Sequence, residues 1–148
     1  MLPARLLSVT AWGFKRDTII NVPAGQPAVV WVVDDVKSVR ESIAAALGAA
    51  GLAVRDYGSA RAFLADFKPT GRGCLVLDYN MPEMTGLELL QKLAKDQSLP
   101  PTIVITGHGN KALEEKLLAA GAIAMLDKPV DADELAALIA RTLSGTSS

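Results

Sequence analysis

The chain has 148 residues, 50% of them hydrophobic and 21% charged, a size and balance that suit one globular domain with a core of its own. Fifteen Lys and Arg against sixteen Asp and Glu leave a formal charge of −1, so no net field draws the chain to nucleic acid or to an anionic membrane. A single cysteine, Cys74, and a single histidine, His108, exclude an internal disulfide and the usual zinc clusters.

Residues 1–27 carry Pro3, Gly13, Pro23, Gly25 and Pro27 without periodicity and are read as an extension. Pro3, Arg5 and Ser8 interrupt Leu2, Leu6, Leu7 and Val9, so no secretory leader is expected. Arg5, Lys15 and Arg16 precede the first acid, Asp17, as in a transit leader, but the preferred expectation is a cytoplasmic protein. No apolar run approaches the roughly 18 residues of a membrane span, and no membrane partner is expected.

From Ala28 onward, short apolar runs alternate with longer helical patterns, the mark of an α/β protein with a parallel sheet and crossover helices. Val29 to Val33 is an unbroken apolar run, as expected of a strand covered on both faces. Val39, Ile43 and Leu47 then recur every four residues and predict a helix over Val36 to Ala50. Leu52 to Tyr57 reads as a more polar edge strand, and Ser59 as the cap of a short helix with Phe63, Leu64 and Phe67, closed by Pro69-Thr70-Gly71. Cys74 to Leu77 is a third strand, followed by a loop with Pro82 and Gly86 and a helix with Leu87, Leu89, Leu90 and Leu93. Thr102 to Ile105 precedes a helix over Lys111 to Ala120. Ala122 to Leu126 precedes a last helix that Asp131 or Asp133 caps.

In such a sheet the ligand site lies beyond the carboxyl ends of the strands. Asp34 and Asp35 follow the first strand, Asp78 the third, Thr106 the fourth and Lys128 the fifth, so all five are expected at one edge. Carboxylates 4 Å apart repel by about 4 kcal/mol per pair at an effective dielectric near 20, and a cation must offset that. Lys128 supplies one charge. A set of oxygen donors with room for water and phosphate describes Mg2+, with Mn2+ as a substitute. One carboxylate so compensated can attack a phosphoryl group and become an aspartyl phosphate.

The order Asp34-Asp35, Leu77-Asp78, Met81-Pro82-Glu83-Met84-Thr85-Gly86, Ile105-Thr106-Gly107 and Lys128-Pro129 strongly resembles the bacterial response-regulator receiver domain. Thr106-Gly107-His108-Gly109 resembles receivers that precede LuxR-type effectors in the nitrogen-fixation regulator group. The resemblance implies a flavodoxin-like (βα)5 fold with strand order 2-1-3-4-5, a receiver over residues 28–144 and a tail over 145–148. It implies Asp78 as phosphoacceptor, and Asp34, Asp35, Asp78 and the Asn80 backbone carbonyl as Mg2+ ligands. Thr106 and Lys128 are implied as phosphoryl contacts, and Lys128-Pro129 as a cis peptide. Its implied partners are a sensor histidine kinase or histidine phosphotransfer protein, and a second copy through the fourth helix, fifth strand and fifth helix. No effector follows Ser148, which suits a stand-alone receiver or the receiver of a longer regulator. At the position of the family's switch aromatic stands Met125, a flexible side chain in place of a rigid ring, which implies a looser coupling between Thr106 and the output face.

Taken singly, each residue has a blander reading: Asp34-Asp35 as a helix cap, Thr106 as a turn hydroxyl, Lys128 as a solvated charge, His108 as a loop residue, Cys74, Trp12 and Trp31 as packing. A haloacid-dehalogenase-like phosphatase also uses an aspartate, a threonine, a lysine and magnesium acids. A resemblance to that family would require Asp-x-Asp on the first strand and the acid pair last, whereas here the pair comes first and Asp78 is followed by Tyr79-Asn80.

Overall fold

The computed structural model describes residues 28–69 and 72–145, so expectations for the extension, for Trp12, for Thr70-Gly71 and for residues 146–148 lie outside the described residues. The elements alternate as β1 (Ala28–Val33), α1 (Lys37–Ala49), β2 (Ala53–Tyr57), α2 (Ala60–Asp66), β3 (Arg72–Asp78), α3 (Gly86–Lys95), β4 (Thr102–Thr106), α4 (Lys111–Ala119), β5 (Ala124–Asp127) and α5 (Ala132–Gly145). The strands form one sheet in the order β2-β1-β3-β4-β5, every pair parallel. This is the doubly wound, flavodoxin-like arrangement expected above.

Side chains alternate across each strand, and the two faces of the sheet bury different sets. Val30, Val32, Cys74, Val76, Ile103 and Ile105 pack with Ile43 and Leu47 of α1 and Leu135 and Ile139 of α5. On the opposite face, Trp31, Val33, Leu75 and Leu77 meet Phe63 of α2 and Leu89 and Leu93 of α3, while Val104 meets Leu90 and Leu117. Phe63 stacks on Phe67 at 4.8 Å and meets Trp31 and Tyr57 edge-on, so the Trp31 ring is core, as its place in an apolar strand suggests.

Several boundaries differ from the sequence reading for local reasons. Helix α1 starts one residue later, because the Val36 N–H donates to Asp34 Oδ1 at 2.9 Å. Strand β3 starts at Arg72, where β1 still offers Ala28 and Val29 as partners. Strand β5 starts at Ala124, not Ala122, because the Ala122 N–H donates to the Leu117 carbonyl and closes the end of α4. Asp131 is the acid that caps α5, taking the Asp133 and Glu134 N–H groups on one oxygen. Thr85 and Glu88 form a reciprocal capping box that starts α3.

Candidate functional site

Strand register builds the site. Val33 of β1 lies opposite Leu77 of β3, so Asp34 and Asp78 leave neighbouring strands at the same level. Asp78 lies opposite Ile105 of β4, and Thr106 opposite Asp127 of β5, which brings Thr106 and Lys128 to the same edge. The β1–β3 gap is where the chain reverses its direction of winding, the position at which parallel sheets bind ligands.

Asp34, Asp35 and Asp78 each offer a carboxylate oxygen within 4.8 Å of the others. Asp34 and Asp78 are buried, whereas Asp35 opens to solvent. Lys128 Nζ stands 3.0 Å from Asp78 Oδ1 and 3.7 Å from Asp34 Oδ2. The ammonium sits off the line of a directed hydrogen bond, so the buried Asp78 Oδ1 has charge compensation without an aligned donor. Burial raises the Asp78 pKa to about 6; Asp34 and Asp35 add to the rise, and Lys128 opposes it. Burial works against the charge of Lys128, yet its close approach to Asp78 and the fields of the three acids outweigh burial and raise its pKa.

This donor set fits a divalent cation. It is made of oxygen alone, it concentrates negative charge, and one buried oxygen lacks a well-aligned donor.

Thr106 is buried, and its Oγ1 accepts the His108 N–H at 3.2 Å. The Lys128 N–H donates to the Thr106 carbonyl at 2.8 Å, and the Lys128–Pro129 peptide is cis. Asn80 is exposed, two residues beyond Asp78. Met125 is half-buried beside Leu90, Val104, Leu117 and Tyr79. The loop after β3 is drawn tight at Gly86, whose N–H donates to the Tyr79 carbonyl at 2.8 Å; a Cβ there would lie 2.8 Å from the Asp78 carbonyl oxygen. Arg40 carries no signal in the sequence, since a basic residue on an amphipathic helix reads as solvated. Its side chain is only 16% exposed.

The sequence pattern of the response regulator receiver domain matches residues 30–140. The chain belongs to this receiver family. Among curated relatives, the receiver is 39% identical over 118 residues to the response regulator protein TmoT of Ectopseudomonas mendocina, covering 80% of this chain and 54% of TmoT. It is 42% identical over 114 residues to the transcriptional regulatory protein FixJ of Azorhizobium caulinodans, covering 77% of this chain and 54% of that one. It thus spans about half the length of these relatives, and it is a receiver of the FixJ-like group. Among solved structures, it resembles the response regulator StyR (37% identity, TM-score 0.75, 82% of this chain, 61% of that one). It also resembles FixJ-N (42% identity, TM-score 0.65, 76% of this chain, 95% of that one). Receivers of this family work with histidine kinases and bind Mg2+ at an acidic pocket. Among the described residues, no helix is long and apolar enough to cross a membrane.

Proposed function

We propose that this receiver accepts a phosphoryl group from a phosphohistidine onto Asp78 and changes its partner binding in response. The observation that carries the reading is the buried Asp78 carboxylate held against Lys128 within a cluster of two further acids. Asp34, Asp35, Asp78 and the Asn80 carbonyl would hold Mg2+, which supplies charge neutralisation for the incoming phosphoryl group. An Asp78 carboxylate oxygen attacks phosphorus, a new O–P bond forms, and the P–N bond to the donor imidazole breaks with its electron pair leaving on nitrogen. Lys128 contacts the phosphoryl oxygens, and Thr106 releases the His108 N–H to do the same. Water later returns the carboxylate, so the product is a timed conformational state and not a metabolite. Residues 28–144 form the receiver, 1–27 an extension and 145–148 a tail. The fourth helix, fifth strand and fifth helix offer a dimer face, and the protein works in the cytoplasm as either a stand-alone receiver or part of a longer regulator.

Acetyl phosphate with Mg2+ tests this directly. The native protein should gain the mass of one phosphoryl group, and Asp78→Asn should not; an equal gain in the variant would remove Asp78 from its role. Protons also compete with the cation for Asp78. With the carboxyl raised to about 6, Mg2+ affinity should fall by about tenfold per pH unit below that value and level off above it. Calorimetric titration between pH 5 and 8 checks the break point, and a flat profile would contradict it.

A further inference from the structure

We infer that Arg40 is a positioning residue for the metal site, a strut that sets the orientation of the Asp34–Asp35 peptide from the β2 side of the sheet. This rests on the acidic pocket being the Mg2+ site. Arg40 extends from α1, and its Nη1 donates to the Asp34 backbone carbonyl at 2.8 Å. That carbonyl belongs to the planar peptide joining Asp34 to Asp35, so fixing it fixes the direction in which Asp35 leaves the backbone. The guanidinium is anchored at its other side, where Nε donates to Asp56 Oδ2 at 3.2 Å. Gly58 lies against the same guanidinium, where a Cβ would come within 3.2 Å of Arg40 Nη1. The bare glycine leaves room for the fork. On the other side of the same residue, the Asp34 N–H donates to the Tyr57 carbonyl at 3.1 Å. Asp34 is thus tied to β2 twice, once by its own backbone and once through Arg40 and Asp56.

A planar guanidinium suits this task because it donates in two fixed directions at once; an ammonium does not. Its charge gives the strut a sign that can be tested. A cation removed from the backbone that carries Asp34 and Asp35 should, on Coulomb grounds alone, tighten Mg2+ binding. Loss of positioning should weaken it. Outer partners that orient metal ligands typically contribute about 10–100-fold to affinity. Arg40→Met is therefore expected to weaken Mg2+ binding by about tenfold, towards the lower end of that range, because Arg40 acts through backbone. Arg40→Lys and Asp56→Ala, each of which leaves one end of the strut in place, should weaken it by about threefold.

Calorimetric Mg2+ titration separates this from general damage. Partial unfolding lowers the apparent stoichiometry, whereas a lost strut raises Kd at unchanged stoichiometry. Phosphorylation by acetyl phosphate should need correspondingly more Mg2+ to reach half its maximal rate in Arg40→Met. A Kd unchanged or tightened in Arg40→Met, beside normal binding by the native protein, overturns the strut alone. If Arg40→Met does not fold, Asp56→Ala carries the test, and an unchanged Kd there overturns the strut equally. Native protein that binds no Mg2+ overturns the reading of the acidic pocket, and the strut with it.

Discussion

Asp78→Asn should make the metal-free protein more stable at pH 7, by about 2 kcal/mol. In the folded chain burial holds Asp78 protonated up to about pH 6, against an ordinary value of 3.8. Below pH 4 both folded and unfolded chains carry the proton, and the group contributes no pH dependence. Between about pH 4 and 6 the unfolded chain releases its proton first, so unfolding is favoured and stability declines as pH rises. Above about 6 the decline is complete. A gap of about two pH units corresponds to about 3 kcal/mol. That figure already includes the attraction of Lys128; asparagine avoids the charge but brings an amide that needs partners of its own in the buried site, which reduces the gain to about 2 kcal/mol. Denaturant unfolding of both proteins in chelator at pH 4.5, 6 and 7.5 checks the result. The advantage of the variant should shrink as pH falls, and an advantage independent of pH would show that burial of charge is not its source.

Gly86→Ala should cost about 2–3 kcal/mol and disturb the phosphoacceptor as well. Its new Cβ would meet backbone, 2.8 Å from the Asp78 carbonyl oxygen and 2.9 Å from Tyr79 Cα, and backbone cannot swing aside as a long side chain can. Either α3 lifts from the end of β3 or β3 shifts beneath it. The first loses the packing of Leu89 and Leu93, and the second moves Asp78 relative to Lys128. Thermal unfolding should move down by about 5–10 °C. Phosphorylation by acetyl phosphate should slow in parallel. A melting point within about one degree of native would mean that the loop yields freely.

The elements legible in the chain are those with a periodic or punctuated signal. The unbroken Val29 to Val33 run is a strand covered on both faces, and the polar Ala53–Tyr57 strand is at an edge. The meeting of Asp34, Asp35 and Asp78 with Lys128 was legible for a related reason, since chain order alone puts all four at the carboxyl ends of strands. What periodicity misses is hydrogen bonding that crosses it. Ala122 has an apolar side chain like any strand residue, but its N–H is taken by α4. Arg40 shows the same limit at the site: its side chain answers to a carbonyl and to a residue on another strand, and neither leaves a local pattern. The nearest signal is Gly58, a missing side chain facing it.

The pocket depends on the register of three neighbouring ladders, which pair Val33 with Leu77, Asp78 with Ile105 and Thr106 with Asp127. In a pleated sheet a slip of one residue turns every side chain of that strand to the other face. A misaligned β3 would therefore send Leu75 and Leu77 towards the wrong helices while carrying Asp78 away from its companions. Core quality and chemical competence cannot drift apart in this molecule, and a chain that folds with its strands out of step declares itself by losing both together.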